Sequence, residues 1–202
     1  MVASAAPVLV AGASSFVGRG LTRRLAGTGR TVRALVRDAR RVAGGFPDSV
    51  EIVEADAADA ARSAPAFVRV RVAYYLIQSM GSPGVGPEFM VRDRAAANGF
   101  AEAAAAGVER VVYLGGLGDD APNASVHLAS RHEVGEILRS RGASVTELRA
   151  GIVVGPGSAG FEMMLQLVEK LPLMICPRWV ETRCQSIAAD DLVRYLVACL
   201  DE

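Results

Sequence analysis

The sequence predicts an α/β fold built on a parallel, doubly wound sheet with helices on both faces. Three observations predict it. Apolar runs of strand length alternate with longer stretches of helical periodicity. The run at residues 72–77 is almost wholly apolar, as a strand covered on both faces should be. The helical stretches close on glycines, so successive strands are joined through helices, which implies right-handed crossovers and parallel pairing.

Residues 7–11 read as the first strand. Gly12 breaks it, and a helix over 15–26 follows, with Phe16, Val17, Leu21 and Leu25 turned inward and Gly27 and Gly29 at its end. The second strand is predicted at 31–36, the third at 50–53 and the fourth at 72–77. Between the second and third, 37–47 reads as a basic loop. A long helix over 87–106 ends at Gly107, the fifth strand covers 110–114, and a helix over 125–141 is closed by Gly142. The sixth strand is expected at 144–148, a further helix at 159–171 and an amphipathic final helix at 189–200, capped by Asp190 or Asp191. The chain of 202 residues reads as one domain in three αβα layers, with residues from about 151 forming a smaller, substrate-side region.

Composition excludes several functions. Lys and Arg together number 22, Asp and Glu also 22, so the net charge is zero and no basic footprint points to nucleic acid. All but one of the cations are arginines. The only lysine is Lys170, and no Gly-Lys-Ser or Gly-Lys-Thr triplet of a Walker phosphate loop exists. Cys176, Cys184 and Cys199 show no paired spacing, which suggests reduced thiols in a cytoplasmic protein, and two histidines give a zinc site few ligands. No metal site is expected. The N-terminus lacks the basic start of a secretory leader, and no apolar run is long enough for a membrane span.

The strongest motif is Gly12-Ala13-Ser14-Ser15-Phe16-Val17-Gly18, directly after the first strand and opening the first helix. Gly12 allows a tight turn, and Gly18 lets the helix pack close to the sheet. The free amides at the helix start can hold a pyrophosphate, with Ser14 and Ser15 adding hydroxyls. In this position, after the first strand, it reads as the turn of a Rossmann-like dinucleotide-binding domain; the alternative is an ordinary tight strand-to-helix turn. The second strand ends in Arg37 and Asp38. Arg37 can pair with a 2′-phosphate, so NADP(H) is favoured; Asp38, able to accept from a ribose 2′-hydroxyl, leaves NAD(H) open.

Taken together, these features resemble the atypical short-chain dehydrogenase/reductase family. The family turn is Gly-Ala-Thr-Gly-aromatic-aliphatic-Gly, and here Ser15 replaces the middle glycine. Residues 32–38 resemble the family's second strand, Glu54-Ala55-Asp56-Ala57 its acidic turn near adenine, and 73–80 a branch whose fourth strand ends in a Tyr-Tyr-Leu-Val-His-Ser-Met-like sequence. Residues 108–118 and 144–155 resemble its fifth and sixth strands, and 177–191 the place where a strand meets the last helix. The resemblance implies that Gly12, Ser14, Ser15, Phe16, Val17 and Gly18 hold the pyrophosphate and that Arg37 reads the 2′-phosphate. It further implies that Asp56 and Ala57 flank adenine and that Ser79 and Gly115 border the ribose and nicotinamide. Some relatives of this branch continue into a further C-terminal domain, which is expected to be either absent from this protein or removed from this chain.

Short-chain reductases protonate a carbonyl through a Tyr-x-x-x-Lys dyad and steady it with a serine. None of Tyr74, Tyr75, Tyr113 and Tyr195 has a lysine four residues on. Counting back from Leu138 and Gly142 places His127 in the tyrosine slot and Arg131 in the lysine slot, one helical turn apart; Gly115-Gly116 fills the serine slot. An imidazole can act as the acid near neutral pH, with Arg131 holding ribose or phosphate and pushing His127 toward neutrality. His127 also reads as a plain surface residue. The expected function is an NADP(H)-dependent oxidoreductase acting on a small carbonyl or quinone-like substrate. The rivals are a non-catalytic dinucleotide-binding sensor or assembly module, as among regulators and respiratory-complex accessory subunits related to this family, and an epimerase- or dehydratase-like enzyme.

Overall fold

A computed structural model of the chain describes residues 6–79, 88–118, 125–170 and 185–200. The strands β1 (Val8–Ala11), β2 (Val32–Val36), β3 (Val50–Glu54), β4 (Val72–Tyr75), β5 (Arg110–Gly116) and β6 (Ser144–Ala150) form one sheet. All pairs are parallel, in the order β3-β2-β1-β4-β5-β6. The chain builds outward from β1 to β3, then returns to lay β4 on the other side of β1. That reversal leaves a crevice beyond the carboxyl end of β1, where open α/β sheets bind ligands.

Both faces of the sheet are covered, and the alternation of side chains sorts them. Val8, Val10, Tyr74 and Val112 point to one core, shared with Leu21, Leu25, Leu192 and Leu196. These come from α1 (Phe16–Gly27) and α6 (Ala189–Ala198), which pack together. Leu9, Ala11, Tyr75 and Tyr113 point to the other, shared with Phe67, Phe100, Val134 and Leu138. These come from α2 (Ala60–Phe67), α3 (Glu88–Ala104) and α4 (Val126–Arg139). Tyr74 and Tyr75 are therefore both core residues, one per face, as a strand buried on both sides requires. The Tyr74 hydroxyl donates to the Leu196 carbonyl at 2.8 Å and ties α6 to the sheet.

Beyond β6 come β7 (Ile152–Val154), α5 (Ala159–Lys170) and β8 (Ser186–Ala188); β7 and β8 pair in parallel as a separate two-stranded ribbon. Several local expectations are revised. The fourth strand ends at Tyr75, and the apolar Leu76 and Ile77 belong to the segment leaving it. The basic stretch after β2 contains a short 3₁₀ helix, Ala39–Val42, capped by Asp38. Helix α2 was not predicted. The last helix is capped not by Asp190 or Asp191 but at Ala188, which has no side-chain acceptor; both aspartates lie in the first turn, where they complement the helix dipole. Cys199 is buried, while Cys176, Cys184 and Trp179 lie outside the described residues.

Candidate functional site

The turn between β1 and α1 is as tight as its glycines predict. Gly12 has φ +84°, and a Cβ there would stand 2.8 Å from the backbone carbonyl of Leu76. A Cβ on Gly18 would stand 2.2 Å from the Gly12 carbonyl oxygen, so the helix approaches the strand at a distance only glycine permits. Ser15, at the position of the family's middle glycine, has ordinary φ −72° and ψ 166° and serves as the N-cap of α1. Its Oγ accepts from the Gly18 amide at 3.0 Å, which turns the side chain back onto the helix. The first intrahelical bond runs from the Arg19 amide to the Ser15 carbonyl, which leaves the Phe16 and Val17 amides at the helix start for a ligand.

A cleft of about 380 Å³ opens in front of this turn, lined from β1, β2, β3 and β4 at their carboxyl ends and from α3. That volume lies within the usual range of roughly 300–1,000 Å³ for small-molecule sites. Its wall includes Gly12, Ser14, Ser15, Arg37, Asp56, Ala57 and Ser79, seven of the eleven residues assigned to the cofactor from sequence. Phe16, Val17 and Gly18, in the first turn of α1, and Gly115, at the end of β5, are not among the wall residues. The side chains of Arg41 and Arg92 were not anticipated. With Arg37 they make three cations on the wall against one carboxylate, Asp56, an excess suited to phosphates.

Two arginines of α1 hold the basic segment that carries Arg37 and Arg41. Arg19 Nη2 donates to the Arg41 carbonyl at 2.7 Å and Arg23 Nε to the Gly45 carbonyl at 2.8 Å. Asp38 is engaged elsewhere: it accepts from the Arg40 amide and from both Nε and Nη2 of Arg40. The side-chain bond to Arg40 holds its carboxyl below the usual carboxylate range. On the opposite wall Asp56 Oδ1 accepts from the Ala58 amide at 2.9 Å, fixing the turn after β3.

The catalytic slots lie apart from this wall, between α3 and α4. His127 is half-buried in the first turn of α4, its ring centroid 5.9 Å from that of Phe89. Arg131 is 4% exposed, and its Nη2 is buried without a hydrogen-bond partner. Its backbone carbonyl accepts from the Tyr113 hydroxyl at 2.9 Å. The stem of Arg131 and the side chain of Leu128 cover the glycines of the serine slot: a Cβ on Gly116 would meet Leu128 Cδ2 at 3.0 Å and Arg131 Cγ at 3.4 Å. A Cβ on Gly115 would meet the Glu147 carboxylate at 2.5 Å. The Tyr75 phenol is held far above its ordinary range by burial, with Asp93 adding to the effect, so it stays protonated.

Burial lowers the His127 pKa, Arg131 lowers it further, and Asp93 opposes both. The folded protein therefore binds fewer protons at this ring than the unfolded chain in the window just below 6.5. Stability should rise with pH through that window and lose the dependence above it. Chemical denaturation of wild type and His127→Gln across pH 5–7.5 tests this; equal slopes for the two proteins contradict it.

Known proteins resemble the chain in matching ways. The NAD(P)H-binding family matches over residues 12–162, beginning at the first glycine of the turn. This chain belongs to that family. Its described residues fit the dinucleotide: a glycine cradle that any Cβ would fill, free helix amides and an arginine-rich wall. Among solved structures, gox2253 superposes with a TM-score of 0.78 at 23% identity, over 97% of this chain and 66% of its own length. The UDP-glucose 4-epimerase of Thermotoga maritima, solved with UDP-glucose, has a TM-score of 0.77 at 16% identity, over 95% of this chain and 72% of its own. WbmH of Bordetella bronchiseptica, solved with NAD+, has 0.77 at 18% identity, over 96% and 72%. The chain thus spans just under two thirds of the first of these and somewhat more of the others. No curated protein matches the sequence. Among the described residues no helix is long and apolar enough to cross a membrane, and no cluster of three His, Cys, Asp or Glu side chains could hold a metal ion.

Proposed function

We propose that this NAD(P)H-binding protein takes NADP(H) in the cleft and acts as an oxidoreductase of the atypical short-chain dehydrogenase/reductase type on a small carbonyl or quinone-like substrate. The observation that carries the reading is the convergence of the α1 N-terminus, Arg37 and Arg41 on one cleft at the point where the strand order reverses. The helix-start amides and the Ser14 and Ser15 hydroxyls bind the pyrophosphate. Arg37 and Arg41 bind the 2′-phosphate, a role in which arginine supplies planar, charge-assisted donors. The tie between Asp38 and Arg40 favours NADP(H) over NAD(H), because the carboxylate that would receive a ribose 2′-hydroxyl is already bound. Asp56 and Ala57 border the adenine, Ser79 and Gly115 the nicotinamide end. The bound nicotinamide would supply the hydride; His127 would supply the proton and Arg131 the charge that tunes it. Residues beyond about 151 form the substrate side.

Arg37→Ala should weaken NADPH binding about tenfold, the value of one charge-assisted contact, and leave NADH nearly unchanged. Parallel titrations with both dinucleotides check this, and an equal loss for the two would remove Arg37 from 2′-phosphate recognition. Catalysis is tested by NADPH oxidation over a panel of small carbonyls and quinones with wild type and His127→Phe. Activity that survives the substitution takes His127 out of the mechanism.

A second reading, a non-catalytic dinucleotide sensor or assembly module, is favoured by one observation. Leu128 and Arg131 occupy the space over Gly116 into which a carbonyl-holding hydroxyl would project. Binding of NADPH without turnover of any panel substrate would select it.

A further inference from the structure

Helix α3 is alanine-rich, and its buried positions are apolar or glycine with one exception. Asp93 is 2% exposed, and burying a carboxylate is costly unless its oxygens are bonded. Both are. Oδ1 accepts from the Ser79 amide at 3.1 Å, and Oδ2 accepts from the Ser130 hydroxyl at 3.3 Å, itself buried on α4. One side chain therefore joins three elements: the segment leaving β4, helix α3 and helix α4. The first of these, Leu76 to Ser79, forms part of the cleft wall, and Arg92, Ala95 and Ala96, on either side of Asp93 along α3, form another part.

The Ser79 amide has a structural reason to need this partner. Beyond Tyr75 the ladder to β1 continues only through the Leu76 amide, which donates to the Ala11 carbonyl at 2.9 Å. Past that point the segment has left the sheet, and a backbone segment without ladder bonds is held by side chains or not at all. A carboxylate is the strongest acceptor a side chain can offer to a backbone amide. An alanine here, in keeping with the rest of the helix, would fill the same interface without desolvating a charge.

We propose that Asp93 is a positioning residue for the dinucleotide site: its carboxylate fixes the backbone at Ser79 so that Gln78 and Ser79 stand at the cleft wall before the ligand arrives. Asp93 does not line the cleft, so its effect on affinity is transmitted through Ser79, and the ligand is spared the cost of ordering that segment. The inference rests on the proposed dinucleotide binding, but its structural half can be measured without any ligand.

The test combines amide hydrogen exchange with NADPH titration of wild type, Asp93→Ala and Asp93→Asn. In ligand-free wild type the Ser79 amide should already be as protected as in the NADPH complex. Asp93→Ala should abolish that protection and raise the NADPH Kd about tenfold. Asp93→Asn should restore both, since its amide oxygen accepts from Ser79 and its amide nitrogen can donate to the Ser130 oxygen. A folded Asp93→Ala protein with wild-type Kd overturns the proposal, as does an Asp93→Asn protein as weak as Asp93→Ala. If Asp93→Ala fails to fold, wild type still decides: a Ser79 amide that exchanges freely until NADPH is added overturns it. Wild type that binds no dinucleotide overturns the proposed function instead, and the exchange data on the ligand-free protein then decide the role of Asp93 separately.

Discussion

Replacing Gly18 by alanine is expected to abolish dinucleotide binding. The added methyl would lie 2.2 Å from the Gly12 carbonyl oxygen, 2.9 Å from the Ala13 Cα and 2.8 Å from Ser15 Oγ. Two of these neighbours are backbone, so no rotamer change relieves the contact, and α1 must move away from β1. The Phe16 and Val17 amides move with it, and the Ser15 cap on Gly18 is distorted. Charge-assisted hydrogen bonds contribute about 1.5–3 kcal/mol each. Losing two of them weakens binding by about a hundredfold or more. Overpacking of this kind costs about 1–3 kcal/mol of stability, which a domain of this size tolerates. Titration of the folded variant with NADPH checks the result; binding within about threefold of wild type would show that the helix start does not contact the ligand.

The largest expected effect on stability is that of Phe100→Ala. Phe100 is fully buried on α3 and packs edge-to-face against Phe67 of α2 and Tyr75 of β4, with ring centroids 5.1 and 4.9 Å apart. Its removal leaves a cavity where α2, α3 and the sheet meet, and such truncations cost about 3–5 kcal/mol. The melting temperature should fall by about 6–20 °C. Tyr195→Ala, on the exposed face of α6, serves as the control and should change stability little. Equal losses for the two would contradict the assignment of the core.

The features legible in the sequence are those whose cause is local. Gly12 and Gly18 are needed by the turn itself, so their spacing announces it, and the double-sided apolar run around Tyr74 and Tyr75 announces a central strand. Six strands in a parallel sheet follow from the alternation with helices, whereas their order, β3-β2-β1-β4-β5-β6, comes from the fold. Helix α2 is not legible because it is only eight residues long and carries Pro65 inside it, a residue that reads as a helix breaker. Asp59, whose side chain caps α2 through the Arg62 amide, was the available signal.

The remaining wall of the cleft was not legible for a different reason. Arg41 and Arg92 are two of many arginines in a chain that uses almost no lysine, and only the crossing of elements brings them to the wall beside Arg37. Nor does the sequence distinguish Asp38, tied to Arg40, from a carboxylate free to meet a ribose. Asp93 carries no signal in the sequence; only the fold places Ser79 and Ser130 against it. His127 and Arg131 were placed by counting along the family pattern. The fold sets them one turn apart on α4, beside Phe89 and over Gly116, rather than on the wall of the cleft described here.

The central claim is that the cleft in front of Gly12 binds a nicotinamide dinucleotide and distinguishes the phosphorylated form. Isothermal titration calorimetry of the purified protein with NADPH and NADH tests it most directly. Saturable one-to-one binding of NADPH, tighter than NADH by about tenfold or more, is the predicted result. Absence of binding by either dinucleotide at millimolar concentration would contradict it.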